Sequence, residues 1–174
     1  DNKGNIGWIV GGRAPQRPNH DGLMPVPGDG RYEWTGFLKA GELPEVFNPT
    51  AGFFATANEM NIPKDHPLLA KRIGYEWSDP SRINRMKAVL GTKDKVTLAD
   101  AMALQNDDNS ENARKLAALL APLSSDDAVT AEGLKLIKGW NQEIAVDSAA
   151  AALSEVWMSK HLGRALTAKA VPEK

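Results

Sequence analysis

The feature that most constrains this chain is a shortage of strands in its first third. Residues 1–67 hold most of the glycines and prolines, in clusters such as Gly11-Gly12, Pro25-Val26-Pro27-Gly28-Asp29-Gly30 and Asn48-Pro49, which are turn signals. Between them only two runs have the β-branched and aromatic content of buried strands. These are Asn5-Ile6-Gly7-Trp8-Ile9-Val10 and Gly52-Phe53-Phe54-Ala55-Thr56-Ala57. Two strands and long loops cannot satisfy their own edges or bury both faces, so these strands are expected to pair with a sheet supplied from elsewhere.

From Ser78 onward the pattern becomes helical. Asp79-Pro80 places a capping side chain before a proline, and Thr97 is followed three residues later by Asp100 as in a capping box. Further starts are expected at Asn109 or Ser110, at Thr130, and at Asp147 or Ser148. Ala113, Leu116, Ala117, Leu119 and Leu120 keep an apolar stripe at helical spacing, as do Leu153, Val156 and Trp157, and Pro122 and Gly139 punctuate the run. The expected class is α+β: a strand and loop segment over 1–77, then a helical subdomain over 78–174 of about five short helices.

Charge narrows the partners. A formal net charge of −1 with both signs interspersed offers no basic surface for nucleic acid or an anionic membrane. No basic region leads into an apolar core near Asp1, and no apolar run approaches the roughly 20 residues that span a bilayer. The chain is expected to start in the middle of a fold. With no cysteine, disulfides, thiolate nucleophiles and cysteine-ligated zinc are excluded. His20, His66 and His161 are too scattered for a metal site and are read as surface or packing residues. Asp107-Asp108 and Asp126-Asp127 adjoin helix starts, where carboxylates cap. The five tryptophans are expected to fill cores. Gly28-Asp29-Gly30 lacks the lysine and following helix of a phosphate loop.

Read in order, Gly4-Asn5-Ile6-Gly7-Trp8, His20-Asp21, Pro25 to Gly30, Trp34-Thr35-Gly36, Phe47-Asn48-Pro49, residues 52–58 and the tract from Tyr75 to Arg85 form an ordered series. Downstream, Leu104 to Ser110, Gly139-Trp140-Asn141 and Asp147-Ser148 through Val156-Trp157 extend it. This series resembles the β subunit of the penicillin and cephalosporin acylase family over nearly the whole chain. The resemblance implies an internal piece of an N-terminal-nucleophile hydrolase, an αββα sandwich that frees a serine by autocatalytic cleavage. That serine attacks an amide carbonyl with its own α-amine as base. The implied activity is penicillin amidase-like hydrolysis of the amide between an acyl side chain and an amine, as in penicillins, cephalosporins or N-acyl-homoserine lactones.

By the same resemblance Asn58 matches the oxyanion-hole asparagine and Arg82 the arginine that orders the site. Asp1 cannot be the nucleophile, so the 174-residue chain alone is expected to be silent. Its implied partners are the remainder of the same precursor, meaning the α subunit and the rest of the β subunit, and a small acylated amine. The implied location is periplasmic or secreted. Two positions depart from the family. Glu59 stands where many members have a second asparagine, placing a carboxylate beside the hole. The family's calcium is held partly by a carbonyl matching Gly22, but the matching downstream carboxylate falls near Ala70 or Lys71, and neither can ligate. No cofactor is therefore expected, with calcium left open. A non-enzymatic helical binding module and a catalytically degenerate acylase homologue remain as alternatives.

Overall fold

A computed structural model describes residues 1–71 and 73–171. By packing, the chain forms two compact units, Asp1–Asp94 and Lys95–Lys174. The result is a mixed fold of six α-helices and one small sheet among the described residues.

In the first unit, β1 (Gly7–Ile9) pairs antiparallel with β2 (Glu45–Phe47), in the register Gly7 to Phe47, Trp8 to Val46 and Ile9 to Glu45. The first of the two expected strands therefore forms. The second, residues 52–57, takes no ladder position and runs as irregular chain after a turn at Gly52, whose φ is +74°. Among the described residues the sheet has two strands, and its own large apolar side chains Ile9 and Phe47 lie exposed. Small 3₁₀ turns cover Ala40–Glu42 and Pro67–Lys71. The core is correspondingly slight: Leu38, Leu43 and Leu68 are buried, with Val10, Ala14 and Ile73 against them. Trp34 and Trp77 are 55% and 39% exposed, so they do not fill a core within this chain.

Helix α1 (Ser81–Leu90) belongs to this first unit and buries Ile83. It starts one residue later than expected: Pro80 is the N-cap and not the first helical residue, no side-chain cap bond is made, and Asp79, one residue further out, accepts through Oδ1 from Ser81 N at 2.9 Å.

The second unit contains α2 (Leu98–Gln105), α3 (Glu111–Leu120), α4 (Ala128–Lys138), α5 (Ala149–Val156) and α6 (Gly163–Ala170). A π-helical stretch, Trp157–Leu162, joins the last two. The capping residues form as the sequence specifies. Thr97 and Asp100 make the reciprocal box, Ser110 accepts from Ala113 N, and Ser148 accepts from Ala151 N. The start expected at Thr130 lies three residues earlier. Asp127 is the cap, accepting from Thr130 N at 2.8 Å, which places Thr130 at the third position inside the helix. Ala113, Ile137, Trp140, Ala150 and Ala151 form the core, and the Trp140 indole N–H is satisfied by Glu143 O at 2.9 Å. No helix among the described residues is long and apolar enough to cross a membrane.

The Asp127 cap gives the helical unit a pH dependence. Hydrogen bonds first from the Thr130 backbone N–H and then from its side chain hold this carboxyl below its usual range. A depressed folded value means the stabilisation is present above the unfolded value of 3.8 and is lost as pH falls through the folded one. Asp127→Asn keeps an acceptor that does not titrate. Between about pH 6 and about pH 3 the thermal midpoint followed by helical circular dichroism should therefore fall less in Asp127→Asn than in the parent chain. Equal slopes would remove the cap from the acid response.

Candidate active site

The segment leading to Asn58 is fixed from both sides. Phe54 stacks on Trp8 of β1, ring centroids 4.7 Å apart and planes 21° apart. Upstream, Asn48 accepts from Ile6 N through Oδ1 at 2.9 Å and donates to Asn5 Oδ1 at 2.8 Å, tying the turn before Gly52 to the strand's approach. The chain then buries Ala57 and turns at Asn58 with φ +65°. That is left-handed backbone, which asparagine tolerates better than most side chains and which persists where its surroundings determine it.

Those surroundings can be named. Arg82, in the first turn of α1, donates through Nη2 to Ala57 O at 2.7 Å and to Asn58 Oδ1 at 2.9 Å. Ser78 N donates to Asn58 O at 2.7 Å. The buried Glu59 carboxylate accepts from Ala57 N at 2.7 Å. The structure thus brings Asn58 and Arg82 together across 24 positions of sequence. A guanidinium in the first turn of a helix is poorly placed for the macrodipole, and here it reaches away to a carbonyl and an amide oxygen.

This arrangement assigns the two ends of the Asn58 amide different work. Oδ1 is occupied by a cation, while the NH₂ makes no hydrogen bond among the described residues. Cationic donation to the oxygen polarises the amide and strengthens its N–H donors, by the cooperativity of linked hydrogen bonds. The residue is exposed, so among the described residues of the first unit no wall closes over it. The first unit has concave regions nearby, one lined by Met60, Ile62, Leu68, Leu69 and Tyr75 among others, but their linings include neither Asn58 nor Arg82. The chain presents a rigid donor and leaves it open.

Glu59 takes a position the sequence did not disclose. Its carboxylate turns inward to Ala57 N, whereas Asn58 faces solvent. Ser78 as the partner of Asn58 O had no signal in the sequence, since a backbone donor has no residue signature.

Gly22 lies elsewhere in the unit. Its φ is +83°, a backbone region that favours glycine, and a Cβ there would meet Arg17 Nε at 2.9 Å and displace that side chain. It lines a cavity with Asp21, Glu76 and Arg17, whereas Ala70 and Lys71 line a different one. Calcium takes six to eight oxygen ligands. Among the described residues no group of three or more His, Cys, Asp or Glu is placed to hold a metal, and the Arg17 guanidinium packs against Gly22. His20 is half-buried, and neither of its ring nitrogens has a hydrogen-bond partner among the described residues.

Comparison with known proteins gives a consistent set of relatives. The sequence profile of the family described as Penicillin amidase matches residues 1–173. The penicillin acylase 2 proenzyme of Pseudomonas sp. (strain SE83) is 30% identical over 171 residues, covering 97% of this chain and 22% of that protein. The acyl-homoserine lactone acylase QuiP of Pseudomonas syringae pv. tomato is 38% identical over 113 residues, 64% of this chain and 13% of the relative. Penicillin G acylase of Escherichia coli is 35% identical over 103 residues, 58% of this chain and 12% of its own length. In structure, a thermostable penicillin G acylase from Alcaligenes faecalis superposes with a TM-score of 0.72 at 24% identity, over 99% of this chain and 32% of that one. The chain therefore spans no more than about a fifth of the length of these curated relatives.

Proposed function

The chain belongs to the penicillin amidase family, and on that premise we propose that it is part of an amidohydrolase that cleaves the bond between an acyl side chain and an amine. The candidate substrates are penicillins and N-acyl-homoserine lactones, the classes named by its relatives, with cephalosporins as a further candidate. Asn58 is the oxyanion donor. When a hydroxyl nucleophile supplied by the rest of the parent protein attacks the amide carbonyl, negative charge gathers on the carbonyl oxygen, and a preorganised N–H there lowers the barrier. Arg82 positions that donor. The observation that carries this reading is the asymmetry of the Asn58 amide: its oxygen is held by Arg82 and its NH₂ is left to act.

The thin core and exposed sheet of the first unit support a second element of the proposal. Residues 1–77 serve as part of an N-terminal-nucleophile αββα core whose remaining strands and walls come from the same precursor; of the helical part expected over 78–174, α1 packs within the first unit and the later helices form the second. A two-stranded sheet with exposed Ile9 and Phe47 on it is a surface that further strands would cover. A periplasmic or exported location follows from the same family reading, and no step requires a cofactor.

The test is turnover of chromogenic phenylacetyl and long-chain acyl amides. The full-length protein carrying this chain should release the amine, and the purified 174-residue chain should not. Turnover by the short chain, or none by the processed full-length protein against either class, would overturn the proposal.

A further inference from the structure

We infer that Glu59 is a positioning residue for the oxyanion donor, acting through the Ala57 peptide and not on the substrate. The inference rests on the acylase reading of Asn58 and adds to it a residue whose buried carboxylate sets the donor's conformation. Ala57 is bracketed by opposite charges: its N–H donates to Glu59 Oε2 at 2.7 Å and its C=O accepts from Arg82 Nη2 at 2.7 Å. Both Ala57 and Glu59 are buried, at 8% and 7% exposure, so water does not substitute for either partner. Between them lies Asn58, exposed and left-handed.

Each tie has a different consequence if cut. The Ala57 N–H is buried, and the Glu59 carboxylate accepts it from two residues further along, closing a loop around Asn58. Without that acceptor the N–H is orphaned, and a buried orphan drives local rearrangement. The softest coordinate is the backbone of Asn58, because left-handed geometry persists only while its surroundings determine it. Relaxation toward ordinary backbone would rotate the Asn58 carbonyl off Ser78 N and the side-chain oxygen off Arg82, which now hold at 2.7 and 2.9 Å. The donor would remain in the sequence but lose its aim. A glutamate is long enough to fold back to the N–H two residues before it, and its inward turn keeps the carboxylate on the buried side while Asn58 is exposed.

An oxyanion donor acts when charge develops, so a disturbed aim lowers kcat and leaves KM nearly unchanged. The experiment uses the full-length, self-processed protein, with active sites titrated so that the rates refer to mature enzyme. Glu59→Ala should lower kcat about 10–100-fold at near-constant KM. Glu59→Gln, which retains the acceptor and drops the charge, should stay within about threefold of the parent. In an Asn58→Ala background, Glu59→Ala should cost less than about a further threefold, because a positioning residue has nothing left to position. Should Glu59→Ala yield no folded protein, Glu59→Asn, polar but shorter in reach, must show the same kcat loss and the same non-additivity. A kcat for Glu59→Ala, or for Glu59→Asn in its place, within about twofold of the parent, or losses that multiply with Asn58→Ala, would overturn the positioning role while leaving the acylase reading intact. An unimpaired Asn58→Ala single variant would remove both.

Discussion

Asn58→Ala in the full-length, processed protein should lower kcat about 10²–10³-fold with KM close to that of the parent, the loss typical of one oxyanion donor. The expectation follows from how the side chain is held. Its oxygen already has a charged partner at 2.9 Å, its backbone carbonyl is bonded to Ser78 N, and its left-handed backbone is tied on both sides. An exposed asparagine with no task beyond capping a turn would be replaceable at little cost to the rate. Asn58→Asp sharpens the distinction. It keeps the shape and the tolerance for left-handed backbone but replaces the donor by an anion facing the developing oxyanion, so its kcat should fall at least as far. Steady-state kinetics on both variants with a chromogenic amide provide the measurement, and a kcat within about threefold of the parent for either would contradict the donor role.

The second large effect is expected at Arg82. One terminal nitrogen serves both Ala57 O and Asn58 Oδ1, so its removal cuts two charge-assisted hydrogen bonds at once and orphans a buried carbonyl. Leaving such an acceptor unsatisfied costs about 1–3 kcal/mol. Arg82→Ala should accordingly lower the thermal midpoint as well as kcat, the latter by about 10-fold or more, as the amide loses the group that orients and polarises it. Arg82→Lys should not restore the rate, because an ammonium lacks the planar fork whose geometry places one nitrogen between two acceptors. Full activity in Arg82→Lys would show that positive charge alone is required and that the fork is incidental.

How far the sequence disclosed this arrangement depends on the range of the interaction involved. Local signals were legible. Thr97 with Asp100, Ser110 and Ser148 all cap helices, because a capping side chain bonds to a backbone N–H only two or three residues away. The shift from Thr130 to Asp127 shows where such a signal is ambiguous: both residue types cap, and with Asp127 as the cap Thr130 falls at the third position inside the helix. Strands were less legible. Glu45–Phe47 is too short and too charged at its start to be read as a strand, and it exists because Gly7–Ile9 is there to pair with. Residues 52–57 have strand composition but no ladder partner among the described residues, since strand formation requires a second chain segment at the edge. The tryptophans divide in the same way. Trp140 finds a core within the helical unit, while Trp34 and Trp77 stay exposed.

The site itself was legible only through the family's ordered motifs. Asn58 and Arg82 lie 24 residues apart, and no periodicity links them. Their contact depends on α1 docking back onto the turn after Ala57, which burial of Ile83 accompanies. Glu59 illustrates the remaining limit. From sequence, a carboxylate beside the donor suggests repulsion of an oxyanion. The direction of one side chain, inward to Ala57 N, converts it into a support for the donor.

The most direct measurement is a crystal structure of the mature full-length protein with a tetrahedral phosphonate adduct on its nucleophile. The account predicts Asn58 Nδ2 within about 2.7–3.1 Å of the adduct's oxyanion-equivalent oxygen, with Arg82 still donating to Oδ1. An Asn58 side chain pointing to solvent, or one with Oδ1 turned toward the adduct, would contradict it.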